Sequence, residues 1–293
     1  KVAVINLDPA NDNPPYYCTI NIEELITLED AMDSLDLGPN GGMVYCIETL
    51  EKNMAWLEDL MKPFIEQDYY FIFDCPGQVE LYTHNTAVRN ICQRLQKINF
   101  QLVSVHLVDA SYCTDPAKYI SVLLVSLVTM MMIELPHINV LSKIDLIKEF
   151  GSELDFNLEY YTEVMDLKYL LFHLNSVDDG GLGRKYEKLN EAICELVEDF
   201  SIVGFTTLAI EDKESVANLV KQIDKANGYI FGGLSHENES IMAVANMTDS
   251  LTEAKETQEK YLSNQDNAGG DNSNKSNKAV QGFDVDNLKI VEH

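Results

Sequence analysis

Short apolar runs alternate with longer stretches of helical periodicity over the first 233 residues. The runs lie at 2–5, 69–73, 102–108, 138–141 and 205–210. They are continuously apolar rather than alternating, which is typical of strands buried on both faces. The pattern therefore predicts an α/β fold with a parallel sheet and helices on both faces.

Apolar residues at helical spacing predict helices over 23–37, 43–64 and 212–228. The stripe along 43–64 has two interpretations, a face packed on the core, which we favour, and a helix–helix dimer seam. The apolar run Ile120–Ile133 is short for a membrane span and better fits a buried core helix.

Composition changes after about residue 234, where Asn, Ser, Asp, Gln and Gly dominate. Such a segment cannot bury enough apolar surface to offset the entropy of ordering it. We divide the chain into a domain at 1–233 and a low-complexity, disordered acidic tail at 234–293. The tail contains one helix-capable piece near 251–262.

Charge and cysteine usage exclude several functions. The chain has 48 Asp and Glu against 21 Lys and Arg, a net charge of -27. Nucleic acids and anionic membranes are polyanions, so we expect no direct nucleic-acid or membrane binding. The 6 cysteines are scattered without a C-x-x-C pair, which argues against a zinc or dithiol site. Free thiols indicate a reducing compartment, and we expect a cytoplasmic protein.

Acidic residues follow four of the predicted strands, at Asp8, Asp74, Asp109 and Asp145. In doubly wound sheets, ligands bind outside the carboxyl ends of the strands. The sequence therefore predicts a polar site along this edge.

The segment Asp74–Gln78 has the composition of a phosphate-hydrolysing site. An Asp after a strand can lie near Mg²⁺, Gly77 allows its backbone N–H to approach a γ-phosphate, and Gln78 can orient a water molecule. The Pro-Gly pair is equally a common turn, so this segment alone leaves both interpretations open.

The segment Ser142–Asp145 has the composition of a base-binding site. A carboxylate at Asp145 can accept hydrogen bonds from the two adjacent N–H donors of guanine, a pair that adenine lacks. The stem of Lys143 can lie over the base. The alternative is a helix start with Ser142 as its N-cap.

The segment 38–42 joins two predicted helices. Its glycines, proline and asparagine are typical of a turn. Asn40 could also offer its neutral amide to a phosphate, with the glycines allowing close backbone approach.

In order and spacing, these segments resemble those of the GPN-loop GTPases. The resemblance covers 1 to about 233 and is carried by four segments: Asn6–Ala10, Gly38–Asn40, Asp74–Leu81 and Ser142–Asp145. The runs 106–116 and 212–229 are most similar to one eukaryotic branch of that family.

The resemblance implies a role for each matching residue. Asp74 would belong to the magnesium shell, while Asp8, Gln78 and Glu80 would position or activate the attacking water. The implied nucleotide-binding residues are Gly38, Pro39, Asn40, Gly77, Ser142, Lys143, Ile144 and Asp145, with Asn40 reaching across a dimer and 207–209 near the base.

The resemblance also implies GTP as substrate, Mg²⁺ as cofactor, and a homodimer or a heterodimer with another GPN-loop GTPase. It implies a role in the assembly and nuclear import of RNA polymerase II, through contacts with polymerase subunits or assembly factors. We accordingly expect a cytoplasmic protein that shuttles to the nucleus.

One family feature does not occur in these residues. A phosphate-binding loop G-x-x-x-x-G-K-[ST] should precede the first strand, but the sequence has no Gly-Lys pair. We favour an intact GTPase whose printed sequence begins after that loop, in an N-terminally incomplete domain. The alternative is a naturally shortened, catalytically inactive scaffold or binding module. Lys143 and Asp145 argue against an ATP-dependent relative.

Overall fold

The computed structural model describes residues 1–151, 154–164, 167–177, 182–200, 203–229 and 250–262. Its strands are β1 Val2–Asn6, β2 Ile20–Asn21, β3 Tyr70–Asp74, β4 Ser104–Asp109, β5 His137–Ser142 and β6 Phe205–Leu208. Its helices are α1 Leu28–Leu35, α2 Pro39–Lys52, α3 Met54–Ile65, α4 Glu80–Thr83, α5 Ala87–Lys97, α6 Pro116–Ile133, α7 Ile147–Phe150, α8 Leu158–Thr162, α9 Lys168–Val177, α10 Leu182–Phe200, α11 Lys213–Asn227 and α12 Ser250–Leu262.

Every strand pairing is parallel, which confirms the predicted α/β class. The strands form two sheets, with the orders β2-β1-β3 and β4-β5-β6. Among the described residues, no ladder joins β3 to β4. The expected burial of both faces therefore holds for β6 but not for β3 and β4, where Ile72 is 47% and Leu107 58% exposed.

Each sheet has its own hydrophobic core. The first half of the molecule packs β1 against α2, α3 and α5, through residues such as Ile5, Leu50 and Leu57. The second half packs β4 and β5 against α6 and α10, with Tyr119 at the centre of the cluster. Helix α11 lies on the same sheet through a smaller cluster of Val140, Leu208 and Leu219.

The stripe along 43–64 lies in the core, and the dimer-seam interpretation is wrong. Its buried members are Met43, Ile47, Leu50, Met54, Leu57 and Met61. The helix begins earlier than predicted, at Pro39, and divides at Asn53, whose backbone leaves the helical region. The Asn53 side chain donates to the Thr49 carbonyl, a local bond that competes with helix continuation.

The other predicted helices differ mainly at their ends. The stretch 23–37 becomes a 3-10 turn at Ile22–Glu24 followed by α1, because the Thr27 side chain accepts from Asp30 N–H and starts a new helix. Helix α11 agrees closely with 212–228, and Gly228 is its left-handed C-cap at φ 73°.

Helix α6 contains the apolar run that we interpreted as a core helix. Among the described residues, it is the one helix long and apolar enough to cross a membrane. Core helices pass that test too, and α6 buries Tyr119, Leu123 and Leu127 against the second core. Its packing therefore agrees with the core interpretation.

Candidate functional site

Strand register brings most of the predicted residues to the carboxyl ends of the two sheets. Asn6 pairs with Asp74 at the end of the first sheet. Asp109 pairs with Ser142, and Ser142 with Leu208, at the end of the second. We call the first group the Asp74 cluster (Asn6, Asp8, Asn11, Tyr16 and Asp74) and the second the Lys143 cluster (Asp109, 142–145 and 207–209).

The Asp74 carboxylate is held by two donors from the loop after β1. The Asn11 amide donates to Asp74 Oδ2 at 3.3 Å, and the Tyr16 hydroxyl donates to the same oxygen. Burial raises the pKa of Tyr16, and the hydrogen bond to Asp74 raises it further. Tyr16 therefore stays protonated and remains a donor at neutral pH. Among the described residues, no hydrogen-bond donor contacts Asp74 Oδ1, so this oxygen is available to a ligand.

The Asn6 side chain fixes the backbone around Asp8. Asn6 is fully buried, and its Oδ1 accepts from Asp8 N–H at 3.1 Å. Asp8 Oδ1 in turn accepts from Ala10 N–H at 2.9 Å, which closes a short turn. The carboxylate of Asp8 is therefore oriented by its own loop, which is joined to β3 by the Leu7 N–H bond to the Asp74 carbonyl at 2.7 Å.

The loop after Asp74 is held by a hydrogen bond at Pro76 and is exposed to solvent at Gly77. The Tyr82 hydroxyl donates to the Pro76 carbonyl at 2.5 Å. Gly77 is exposed, and a Cβ there would meet nothing within 4 Å. In the described part of the chain, the Gln78 amide makes no side-chain hydrogen bond, and Glu80 begins α4 in an exposed position. Both side chains can therefore reach a ligand or a water molecule.

The described residues contain no group of three or more His, Cys, Asp or Glu arranged to hold a metal ion. Mg²⁺ in phosphate-transfer sites binds through one or two carboxylates and completes its shell with phosphate and water oxygens. Asp74 fits that kind of site, because its Oδ1 accepts no hydrogen bond from the described residues and can act as an oxygen ligand.

The Lys143 cluster is built at the end of β5. Lys143 adopts a left-handed backbone at φ 57°, and its Nζ donates to Asp109 Oδ2 at 2.8 Å. Partial burial acts to raise the pKa of Asp109, but hydrogen bonds from Lys143 and Ser111 outweigh it and hold that pKa below its ordinary value. The ion pair is therefore formed at neutral pH.

Ser142 does not cap a helix, so that alternative is wrong. Its hydroxyl instead donates to the Val108 carbonyl at 3.0 Å and ties β5 to β4. Asp145 follows in the 3-10 turn Ile144–Leu146, anchored by the buried Ile144. The Asp145 carboxylate is partly exposed at the mouth of the cluster.

The segment 207–209 lies beside Ser142, as its assignment to the base side requires. Thr207 and Ala209 are buried, and Ala209 N–H donates to Ser215 Oγ at 3.0 Å. This bond holds the loop against the start of α11.

The Gly38–Asn40 segment is not brought to either cluster within one chain. Gly38 is the N-cap of α2, Pro39 its first residue, and Asn40 is exposed. The first-turn N–H groups of a helix of this length form a ready site for an anion. Among the described residues, no hydrogen bond links this segment to the Asp74 or Lys143 cluster.

Sequence reasoning missed two contributors to these clusters. Asn11 and Tyr16 lie in the loop after Asp8 and carry no recognisable spacing. The contact of Lys143 with Asp109 also joins residues 34 positions apart. The sequence did show a polar residue after each predicted strand. It did not show which of these side chains contact one another in the folded chain.

The fold is shared with solved and curated proteins. A family described as a conserved hypothetical ATP binding protein matches residues 1–229. The crystal structure of a GTPase in apo form from Pyrococcus abyssi superimposes with a TM-score of 0.56 at 23% identity, covering 77% of this chain and 86% of that one.

Three curated relatives carry a narrower name. GPN-loop GTPase 2 of Danio rerio is 51% identical over 264 residues, covering 89% of this chain and 83% of that protein. The GPN-loop GTPase 2 homolog of Dictyostelium discoideum is 51% identical, covering 89% and 81%. GPN-loop GTPase 2 of Saccharomyces cerevisiae is 44% identical, covering 90% and 76%.

The parallel α/β fold of this protein is therefore the fold of the apo GTPase from Pyrococcus abyssi. The chain belongs to the GPN-loop GTPase family. Its relatives named GPN-loop GTPase 2 support the second eukaryotic paralogue of that family.

Proposed function

We propose that this protein binds and hydrolyses GTP with Mg²⁺ as cofactor, and acts as a dimeric assembly factor that supports the assembly and nuclear import of RNA polymerase II. One observation carries the catalytic part: the strand ends place Asp74 and Lys143–Asp145 on the carboxyl edges of parallel sheets. The biological part, with its cytoplasmic location and shuttling, rests on the family resemblance.

In this proposal, the Asp74 cluster serves the phosphate end of the nucleotide. Bound Mg²⁺ would neutralise charge that develops on the phosphate oxygens. Asp74 would hold it directly or through water, oriented by Asn11 and Tyr16. Gln78 would align the attacking water molecule. Asp8 and Glu80 would polarise this water or accept its proton.

The Lys143 cluster would serve the base. Asp145 would accept from N1–H and the 2-amino group of guanine, and the Lys143 stem would cover the ring. Asp109 supports this role, because its contact with the Lys143 ammonium restrains the side chain before any base arrives.

We expect Gln78→Ala to slow GTP turnover by about 10²-fold, because a positioned group in proton transfer contributes roughly that much. Nucleotide affinity should change little, since Gln78 acts on water. Single-turnover hydrolysis by the full-length protein measures the effect. Gln96→Ala, on the exposed face of α5, is the matched control. Normal turnover in Gln78→Ala would remove Gln78 from the mechanism.

The dimer proposal depends on Asn40, which is exposed at the start of α2 and, among the described residues, forms no hydrogen bond with either cluster. We expect Asn40→Ala to lower the turnover rate of the dimer by roughly 10-fold, because one amide contact to a charged phosphate is lost. Hydrolysis measured across a dilution series separates monomer from dimer. Equal rates per subunit at all concentrations would contradict a role across subunits.

The second candidate function is a catalytically inactive scaffold or nucleotide-free binding module. The deciding experiment is to isolate the protein from its own cells, determine its intact mass by mass spectrometry, and measure GTP binding and turnover. Tight, Mg²⁺-dependent binding with turnover supports the GTPase. A folded protein without GTP binding supports the module.

A further inference from the structure

Helix α12 packs on the side of the molecule that carries the Lys143 cluster. Thr257 Oγ1 lies 3.2 Å from Thr207 Oγ1, the hydroxyl of the segment beside Ser142. Ala254 is buried, and Tyr261 enters the second hydrophobic core. A helix from the region after residue 234 therefore touches the segment assigned to the base.

A second contact reaches the same segment from its far end. The Lys260 ammonium donates to the Asp212 carboxylate, which also caps α11 through Glu214 N–H at 3.3 Å. Asp212 N–H donates to the Ala209 carbonyl at 3.1 Å. Lys260 and Thr257 thus hold the two ends of the 207–209 loop.

A third contact reaches the segment that contains Asp145. The Lys148 ammonium lies 5.0 Å from the centre of the Tyr261 ring, an attractive cation–π distance. Ile144 and Ile147, on either side of Asp145, belong to the same core cluster as Tyr261. Helix α12 therefore contacts both the 207–209 segment and the segment that contains Asp145.

We propose that α12 positions the Lys143 cluster for a guanine base, with Thr257 and Lys260 as positioning residues. This inference rests on the proposed binding of GTP and adds an element outside the 1–233 domain to that site. The physical effect is preorganisation: walls that are already fixed lose less conformational entropy when the base binds.

The opposite side of α12 provides residues for a control substitution. Gln258 Oε1 accepts from Leu158 N–H at 3.0 Å, and the Lys255 ammonium lies 3.5 Å from Glu159. These contacts attach α12 to α8 without touching 207–209 or Asp145. A substitution there tests attachment of the helix alone.

The experiment compares guanosine and inosine diphosphates, which differ only by the 2-amino group that Asp145 would bind. In the full-length protein, we expect Thr257→Val with Lys260→Met to raise the Kd for GDP by about 5- to 10-fold, a typical coupling between separate elements. The Kd for inosine diphosphate should rise less, so the preference for guanine falls. KM for GTP should rise while kcat is unchanged, because binding is weakened equally in the ground state and in the transition state.

Lys255→Met is the matched control and should leave both affinities unchanged, and Thr257→Ser with Lys260→Arg should restore the guanine preference. Unchanged affinity in the double variant, or an equal loss for both nucleotides, would overturn the inference while leaving GTP binding intact. Absence of guanine-nucleotide binding by the unsubstituted protein would overturn the proposed function itself, and this inference with it.

Discussion

Asp145→Asn should convert this protein from a guanine to a xanthine nucleotide binder. In the proposed site, the carboxylate would accept from two adjacent N–H groups of guanine, whereas an amide offers one acceptor and one donor. Xanthine carries an oxygen in place of the 2-amino group and matches the amide. Each mismatched contact leaves a buried polar group unpaired, so the ratio of xanthosine to guanosine diphosphate affinity should rise by about 10³-fold or more.

Competition binding of the two nucleotides to the full-length protein measures this ratio. Asp36→Asn is a suitable control, because Asp36 is exposed at the left-handed C-cap of α1, a conformation that asparagine adopts readily. An unchanged base preference in Asp145→Asn would contradict the assignment of guanine to this residue.

Tyr119→Ala should cost about 3–5 kcal/mol of the free energy of unfolding, in the range of other large aromatic truncations. Tyr119 is fully buried, and its ring lies 5.1 Å from that of Tyr161 at 86°. Its hydroxyl donates to the Tyr161 carbonyl at 2.6 Å, and burial raises its pKa well above the ordinary value. Truncation removes the ring contacts and the hydrogen bond together.

Urea unfolding followed by far-ultraviolet circular dichroism measures the loss. Tyr119→Phe keeps the ring but leaves the Tyr161 carbonyl without that donor, so it should cost about 1–2 kcal/mol. Tyr17→Ala, at a side chain 86% exposed, should change stability by less than about 0.5 kcal/mol. A loss below about 1 kcal/mol for Tyr119→Ala would show that this ring does not organise the second core.

Strand ends were the most predictable part of the site. A continuous apolar run followed by an acidic residue marks where a buried strand leaves the sheet, which is why Asp74 and Asp109 lie where the sequence placed them. The helical stripe was also predictable, because each of its apolar residues has to reach the core on one face.

Pairings between distant residues were not predictable from one sequence. The division of α2 from α3 falls at Asn53, whose backbone N–H and side-chain amide both donate to the Thr49 carbonyl. Such local side-chain bonds offer the backbone an alternative to the helix, and the sequence does not show where one is used. Tyr16 reaches Asp74 only because the loop after β1 folds over β3, which no periodicity records. The contact between Thr257 and Thr207 spans 50 positions and required the three-dimensional structure.

The two sheets leave the Asp74 cluster on one half of the described residues and the Lys143 cluster on the other. Side-chain contacts join the halves, among them Tyr70 with Asp224 at 3.4 Å and Arg89 with Glu134 at 2.6 Å. A nucleotide that bound at both clusters would connect the two halves. Because a ligand that binds only the folded state stabilises it, that nucleotide would protect both hydrophobic cores against unfolding.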